Sequence, residues 1–237
     1  NRRTIWPISA GKAMGRGVYA LQGVLYDATG ERVTEMADLL RARSLPGRHN
    51  WQNAAAAYAA AIAIGIPPVQ AVEGLMTFPS LAYRTDRQET VAWYRTVAEA
   101  SDLPIMIYNN PIAYKVDVDV ETLKALADVP GIVAIKEETG DIRRVTVLFN
   151  AFGDRFDVFC GVDDLILESL ALGVVGWVSG MTNAWPAECV KLFNTAKAGD
   201  IAKALPLYRL LTPAFHLDTD VKLVQYIKLA EHLVCGA

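Results

Sequence analysis

The sequence predicts an α/β fold built on parallel strands, and three stretches carry that prediction. Residues 104–108 are a continuous apolar run that stops at Asn109-Asn110-Pro111, where proline has no N–H to offer a sheet ladder. Residues 120–127 place Val120, Leu123, Leu126 and Ala127 at helical spacing, behind Asp119 as a cap and ahead of Pro130-Gly131. Residues 132–135 are a second apolar run, and it hands over directly to Lys136. A strand–helix–strand unit is right-handed and points both carboxyl ends the same way. Tyr108 and Lys136 are therefore expected to face one pocket.

The other elements follow in chain order. Residues 4–8, 18–21, 24–27 and 32–37 are short β-prone runs separated by Gly11, Gly15, Gly17, Gly23 and Gly30, the pattern of a series of hairpins. The run Gly11-Lys12-Ala13-Met14-Gly15-Arg16-Gly17 lacks the spacing of a phosphate loop and the hydroxyl residue after its lysine, so it is read as turns. Pro46-Gly47 opens a turn, Asn50 is placed to cap a helix, and an alanine-rich helix runs to Ile64 before Gly65 and Pro67-Pro68. Residues 75–78 form a strand and residues 86–101 an amphipathic helix whose apolar face is Thr90, Val91, Trp93, Tyr94 and Val97. Beyond Lys136, helices are expected at 142–150, 163–172, 186–198, 200–211 and 220–234, with strands at 157–160 and 176–179. That makes five βα-type strands.

The totals narrow the class. A chain of 237 residues with 52% hydrophobic and 21% charged residues has the composition of a globular α/β protein. A net charge of −3 argues against general affinity for nucleic acid. No apolar run reaches the roughly 18–20 residues of a membrane span, and no export signal is seen. Cys160, Cys189 and Cys235 are unclustered, which fits a reducing cytoplasm and no zinc site.

The chemistry centres on Lys136. Burying an ammonium after four apolar strand residues is costly, and desolvation favours the neutral amine. A neutral amine can attack a keto group and form an imine that acts as an electron sink, and a tyrosine opposite can move the protons. The structural alternative is a lysine that snorkels to the rim beside a core aromatic. Of the remaining ionisable groups, Asp163-Asp164 reads as a helix cap rather than a metal site. Of Glu137 and Glu138, one is expected to face the strand side and one solvent, in orienting or solvated roles. His216 and His232 are expected at the surface.

Tyr-Asn-Asn-Pro at 108–111, Ile-Lys-Glu-Glu-Thr-Gly-Asp at 135–141, Cys-Gly-Val-Asp-Asp at 160–164 and Gly-Trp-Val-Ser-Gly at 176–180 occur in one order. From about residue 73 onward the sequence thereby resembles the dihydrodipicolinate synthase/N-acetylneuraminate lyase family. The resemblance implies an eight-fold β/α (TIM) barrel, Lys136 as the Schiff-base lysine, Tyr108 as proton relay, and Gly161 and Val178 lining the substrate pocket. It implies a 2-keto acid or cyclic imino acid as substrate, with no metal and no organic cofactor. Residues 108–118 and 161–180 are most similar to the branch that deaminates 1-pyrroline-4-hydroxy-2-carboxylate in hydroxyproline breakdown. Five strands make only a partial barrel, because the family's first three strands, and the loop that holds the keto-acid carboxylate, have no counterpart here. Turnover is accordingly expected to be impaired, and the open sheet edges call for cover, for instance in a homo-oligomer.

Residues 1–72 are similar to something else. Leu-Pro-Gly-Arg-His-Asn-Trp-Gln-Asn followed by four alanines at 45–57, with residues 6–11 and 23–27, resembles the end of the central domain of a Mur ligase, the one that adds D-glutamate to UDP-N-acetylmuramoyl-alanine. That resemblance implies Asn50 and Asn53 on the adenine side of ATP. The phosphate loop and Mg²⁺ carboxylates on which ATP chemistry rests are absent from the sequence, so a working ligase is not expected. The chain thus reads as a Mur-ligase-like fragment at 1–72 and a partial class I aldolase-type barrel at 73–237. A non-catalytic chimeric or truncated scaffold and a ligase remnant are the alternatives to an enzyme.

Overall fold

The computed structural model describes residues 6–40, 47–63 and 74–235. The expected helix stop at 64–68 and the boundary near Glu73 lie outside these residues, as does the side chain of Asn50. The chain divides into two units, residues 1–75 with 99–103 and residues 76–98 with 104–237.

In the first unit four strands form one sheet in chain order: β1 (Ile8–Ser9), β2 (Gly17–Leu21), β3 (Val24–Ala28) and β4 (Thr34–Asp38). The β2–β3 turn is Gln22-Gly23, both with positive φ (51° and 83°), the geometry whose twist matches a two-residue hairpin. β3 and β4 are also antiparallel, but β1 lies parallel to β2, which corrects the expectation of hairpins throughout. Gly17 permits this arrangement. It has φ +107°, and a Cβ there would sit 2.1 Å from the carbonyl oxygen of Pro7, the acceptor for Val18 N–H at 3.1 Å. Helix α1 (Arg48–Ala63) lays Ala55, Tyr58 and Ala59 on Val18, Ala20 and Leu25. Alanine lets the helix approach closely. The Tyr58 hydroxyl then reaches Asp27 Oδ2 at 2.9 Å.

The second sheet has the order β5 (Leu75–Thr77), β6 (Ile105–Asn109), β7 (Ile132–Glu137), β8 (Asp157–Cys160) and β9 (Gly176–Trp177). β6, β7, β8 and β9 pair in parallel, as the apolar runs require. Between them come α2 (Arg87–Glu99), α3 (Pro111–Tyr114), α4 (Val120–Lys124), α5 (Arg143–Phe152) and α6 (Ile166–Ala171). After β9 the chain continues as α7 (Pro186–Lys197), α8 (Ile201–Phe215) and α9 (Leu223–Cys235). Asp119 caps α4 as expected, accepting from Thr122 N–H at 2.8 Å. On α2 only Thr90 and Tyr94 are buried; Trp93 is exposed, with its Nε1–H bonded to Phe78 O at 3.0 Å. The five strands form an open sheet, and the described residues close no barrel.

A register shift places the key residues. β6 and β7 start with Ile105 opposite Ile132, but Met106 already faces Ala134, so Val133 is an extra residue in β7. Tyr108 consequently pairs with Lys136 rather than with Ile135. In-register neighbours on parallel strands project to the same side, so the rung Tyr108, Lys136, Phe159 and Gly176 shares one face. The sequence placed Tyr108 and Lys136 near each other; the bulge puts them side by side.

Candidate active site

Lys136 is buried, at 8% exposure, at the end of its strand. Its Nζ lies over the ring of Tyr108, 3.8 Å from the centroid, and 2.7 Å from Glu138 Oε2. Tyr114 meets the Tyr108 ring edge-on at 5.5 Å between centroids. Burial, and then the charge of Glu138, push the Tyr108 phenol far above its ordinary value, so it keeps its proton.

Both glutamates of the motif are buried, which corrects the expectation that one faces solvent. β7 ends at Glu137, and the chain turns there rather than continuing into water. Glu137 accepts from Thr139 N–H at 2.7 Å and from Asn109 Nδ2 at 3.2 Å. Burial raises its carboxyl against the pull of those bonds. Asn109 also donates to Asp117 Oδ1 at 3.1 Å and accepts from Val118 N–H at 2.9 Å, so Glu137 belongs to the scaffold that fixes the loop after β6. Glu138 faces the site. Its Oε1 accepts from Asn110 Nδ2 at 2.9 Å, and its backbone N–H bonds Asn109 O at 2.9 Å.

A cavity of about 580 Å³ opens beside this cluster, with Asn110, Ile112, Ala113, Glu138, Val162 and Asp218 in its wall. Gly161 is buried next to Val162, and its N–H bonds Glu137 O at 2.8 Å. A Cβ on Gly161 would lie 2.8 Å from Glu138 Cβ and 2.9 Å from Glu137 O. Val178 is half-buried and donates its N–H to Cys160 O at 2.9 Å. Asn53 is exposed on α1, in the other unit.

Asp163 is no helix cap. It is fully buried, and its two oxygens take Trp177 Nε1–H at 3.0 Å and Met181 N–H at 2.8 Å, tying the loop after β8 to the loop after β9. A capping carboxylate would face the first turn of its own helix; this one is claimed by a neighbouring strand. Asp218, in the 3₁₀ turn His216–Thr219, accepts from Asp163 N–H at 3.4 Å. Burial raises both carboxyls; the charge of Asp163 raises Asp218 further, and the charge of Glu138 raises both. Asp164 takes His216 Nδ1 at 2.5 Å; His216 is exposed as expected but is partnered. Asp218 carried no signal in the sequence, being 55 residues from Asp163, and Asn110 was hidden as the second of two asparagines before a proline. Among the described residues, no group of three or more His, Cys, Asp or Glu is placed to hold a metal ion.

Repeating strand–helix units, with a buried lysine and its polar partners gathered at the carboxyl ends of parallel strands, define an α/β protein with the parallel-strand arrangement of part of a β/α barrel. The family pattern described as the dihydrodipicolinate synthetase family matches residues 58–235, and the chain belongs to that family. The 4-hydroxy-tetrahydrodipicolinate synthase of Exiguobacterium sibiricum is 41% identical over 139 residues, 58% of this chain and 47% of that protein. The crystal structure of the chloride-inhibited dihydrodipicolinate synthase from Acinetobacter baumannii, complexed with pyruvate, superposes with a TM-score of 0.60 at 26% identity, covering 71% of this chain and 57% of that one. The N-terminal segment matches a different protein. The UDP-N-acetylmuramoylalanine–D-glutamate ligase of a Caulobacter species is 90% identical over 86 residues, 36% of this chain and 18% of the ligase. The chain thus spans about half the length of the synthase, at 47%, and about a fifth of the ligase, at 18%.

Proposed function

We propose that the family segment is a class I, Schiff-base-forming lyase or deaminase, with Lys136 as nucleophile and Tyr108 as proton relay. The observation that supports this is the dry Lys136 amine, held between an aromatic face and a carboxylate beside a cavity. The substrate is a 2-keto acid or a cyclic imino acid, and the hydroxyproline-type imino acid is the finer reading. The reaction uses no metal and no organic cofactor, because the lysine imine is itself the electron sink. Gly161 and Val178 contribute the pocket wall on the side of β8 and β9. Turnover is impaired in a sheet of five strands, and a second copy of the chain covers the sheet edges at β5 and β9. The site of action is the cytoplasm; among the described residues no helix is long and apolar enough to cross a membrane.

The test is reductive trapping. Pyruvate with borohydride, followed by peptide mass spectrometry, is expected to label Lys136, and Lys136→Met to abolish the label. A label on another lysine, or none, removes the enzymatic reading.

The 90% identity of the N-terminal segment to a ligase favours one rival, a non-catalytic chimeric scaffold. That rival predicts no label and no ATP binding. A ligase remnant using Asn50 and Asn53 would instead show saturable ATP binding on titration.

A further inference from the structure

An amine that sits on a carboxylate must lose a proton before it can attack. Lys136 Nζ is in contact with the Tyr108 ring and with Glu138 Oε2, and the Asp218 carboxylate in the cavity wall acts on it by charge without touching it. Tyr108 presents its ring face to the amine, and its phenol keeps its proton, so it is no acceptor. Glu138 is a carboxylate in ion-pair contact with the amine at 2.7 Å. Asn110 holds the other carboxylate oxygen at 2.9 Å, and the absence of a Cβ on Gly161 leaves the side chain its place beside β8. The same side chain forms part of the cavity wall. One fixed carboxylate therefore touches both the nucleophile and the space where a carbonyl would arrive. Both motif glutamates were read from the sequence as orienting or solvated; the ion pair separates their roles.

We propose that Glu138 is the acid–base group of imine formation, removing the protons of the Lys136 ammonium and delivering them to the oxygen that leaves, while Tyr108 relays protons in the steps after the imine has formed. This rests on the imine-forming reading above. The balance closes without any outside reagent. Glu138 takes one proton, and the nitrogen lone pair attacks the carbonyl carbon as the C=O π pair moves to oxygen. That oxygen takes the proton from Glu138, which then removes a second from the nitrogen. The C–O bond breaks with its electron pair on oxygen as the second proton arrives there. The remaining nitrogen lone pair completes the C=N bond. Lys136 goes from three N–H bonds to one, water leaves, and Glu138 ends as it began.

The experiment is the rate of borohydride-trapped imine formation with pyruvate in the wild-type chain, E138Q and E138A, with thermal melts confirming that the variants fold. E138Q is expected to be slower by roughly 100-fold, the low end of what acid–base groups contribute. Formate is expected to restore rate to E138A, because a small carboxylic acid can enter the space the side chain vacates, and to leave E138Q unchanged, because that space stays filled. Rates in E138Q equal to wild type would overturn this assignment while leaving the imine reading intact. Slow trapping in both variants with no rescue by formate would also overturn it, since Glu138 would then only position the lysine. No label at Lys136 in the wild-type chain would overturn the imine reading and, with it, this one.

Discussion

Gly161 is small because of residues on the neighbouring strand. The Cβ it lacks would fall within 3 Å of both Glu138 Cβ (2.8 Å) and Glu137 O (2.9 Å), so the β8–β7 contact that seats Glu138 against Lys136 exists only without a side chain there. Gly161→Ala is expected to cost about 1–3 kcal/mol as an overpacked core site and to slow imine trapping by moving Glu138. Urea unfolding gives the first quantity and the trapping rate the second. A variant with lowered stability but an unchanged rate would show that the packing of Gly161 and the chemistry of Glu138 are separate matters. The sequence marked Gly161 through family likeness as a pocket residue; the clash distances give it a steric job as well.

At the scale of elements, the β6–β7 pair is held from below by one arginine. Arg155 donates to the carbonyls of Ala127, Val129 and Ile132 at 2.8, 2.8 and 2.9 Å, and its guanidinium stacks on Phe156 at 4.4 Å. These carbonyls belong to the turn that leads from α4 into β7, so Arg155 fixes where β7 begins and hence where its bulge falls. Replacing it by alanine leaves three carbonyls without this donor, and Arg155→Ala is expected to lose about 2–4 kcal/mol. Lysine would recover the charge but not the fork of donors, so Arg155→Lys should recover less than half of that loss. Recovery of more than half of the loss by Arg155→Lys would contradict the argument from the three-donor fork. Strand and helix positions were legible from apolar spacing along the chain. The register was not, because a bulge depends on which residues the partner strand presents.

Across the larger unit, the C-terminal helices reach the sheet through a pair of buried acids. Asp218 follows α8, and its carboxylate lies against the backbone of Asp163 after β8. Burial raises both carboxyls, so the folded chain holds these protons more tightly than the unfolded chain. Their contribution is most favourable below the ordinary carboxylate range and declines as pH rises through the raised folded values. Asp218→Asn removes that loss. The stability difference, variant minus wild type, is expected to move in the variant's favour between about pH 4 and pH 8, read by urea unfolding across that range. A flat difference would place Asp218 in water rather than in the core. Asp27 in the smaller unit has the opposite sign. Burial raises its carboxyl, but bonds from Thr29 and Tyr58 outweigh this and hold it low, so its contribution is present at neutral pH and lost on acidification.

The sequence by itself determined the α/β class, the five strands, the Asp119 cap, the two resemblances that the comparisons bear out, and the choice of Lys136 and Tyr108 as residues of interest. Each of these rests on short-range spacing or on contiguous motifs, which a linear reading can see. Tertiary structure alone decided that Glu138 faces the amine while Glu137 faces Asn109, that Asp163 serves a neighbouring strand, and that Asp218 joins it from 55 residues away. Those outcomes depend on which groups are brought together as water is excluded. A carboxylate's role is fixed by the partner that replaces its water, and that partner is named by the fold.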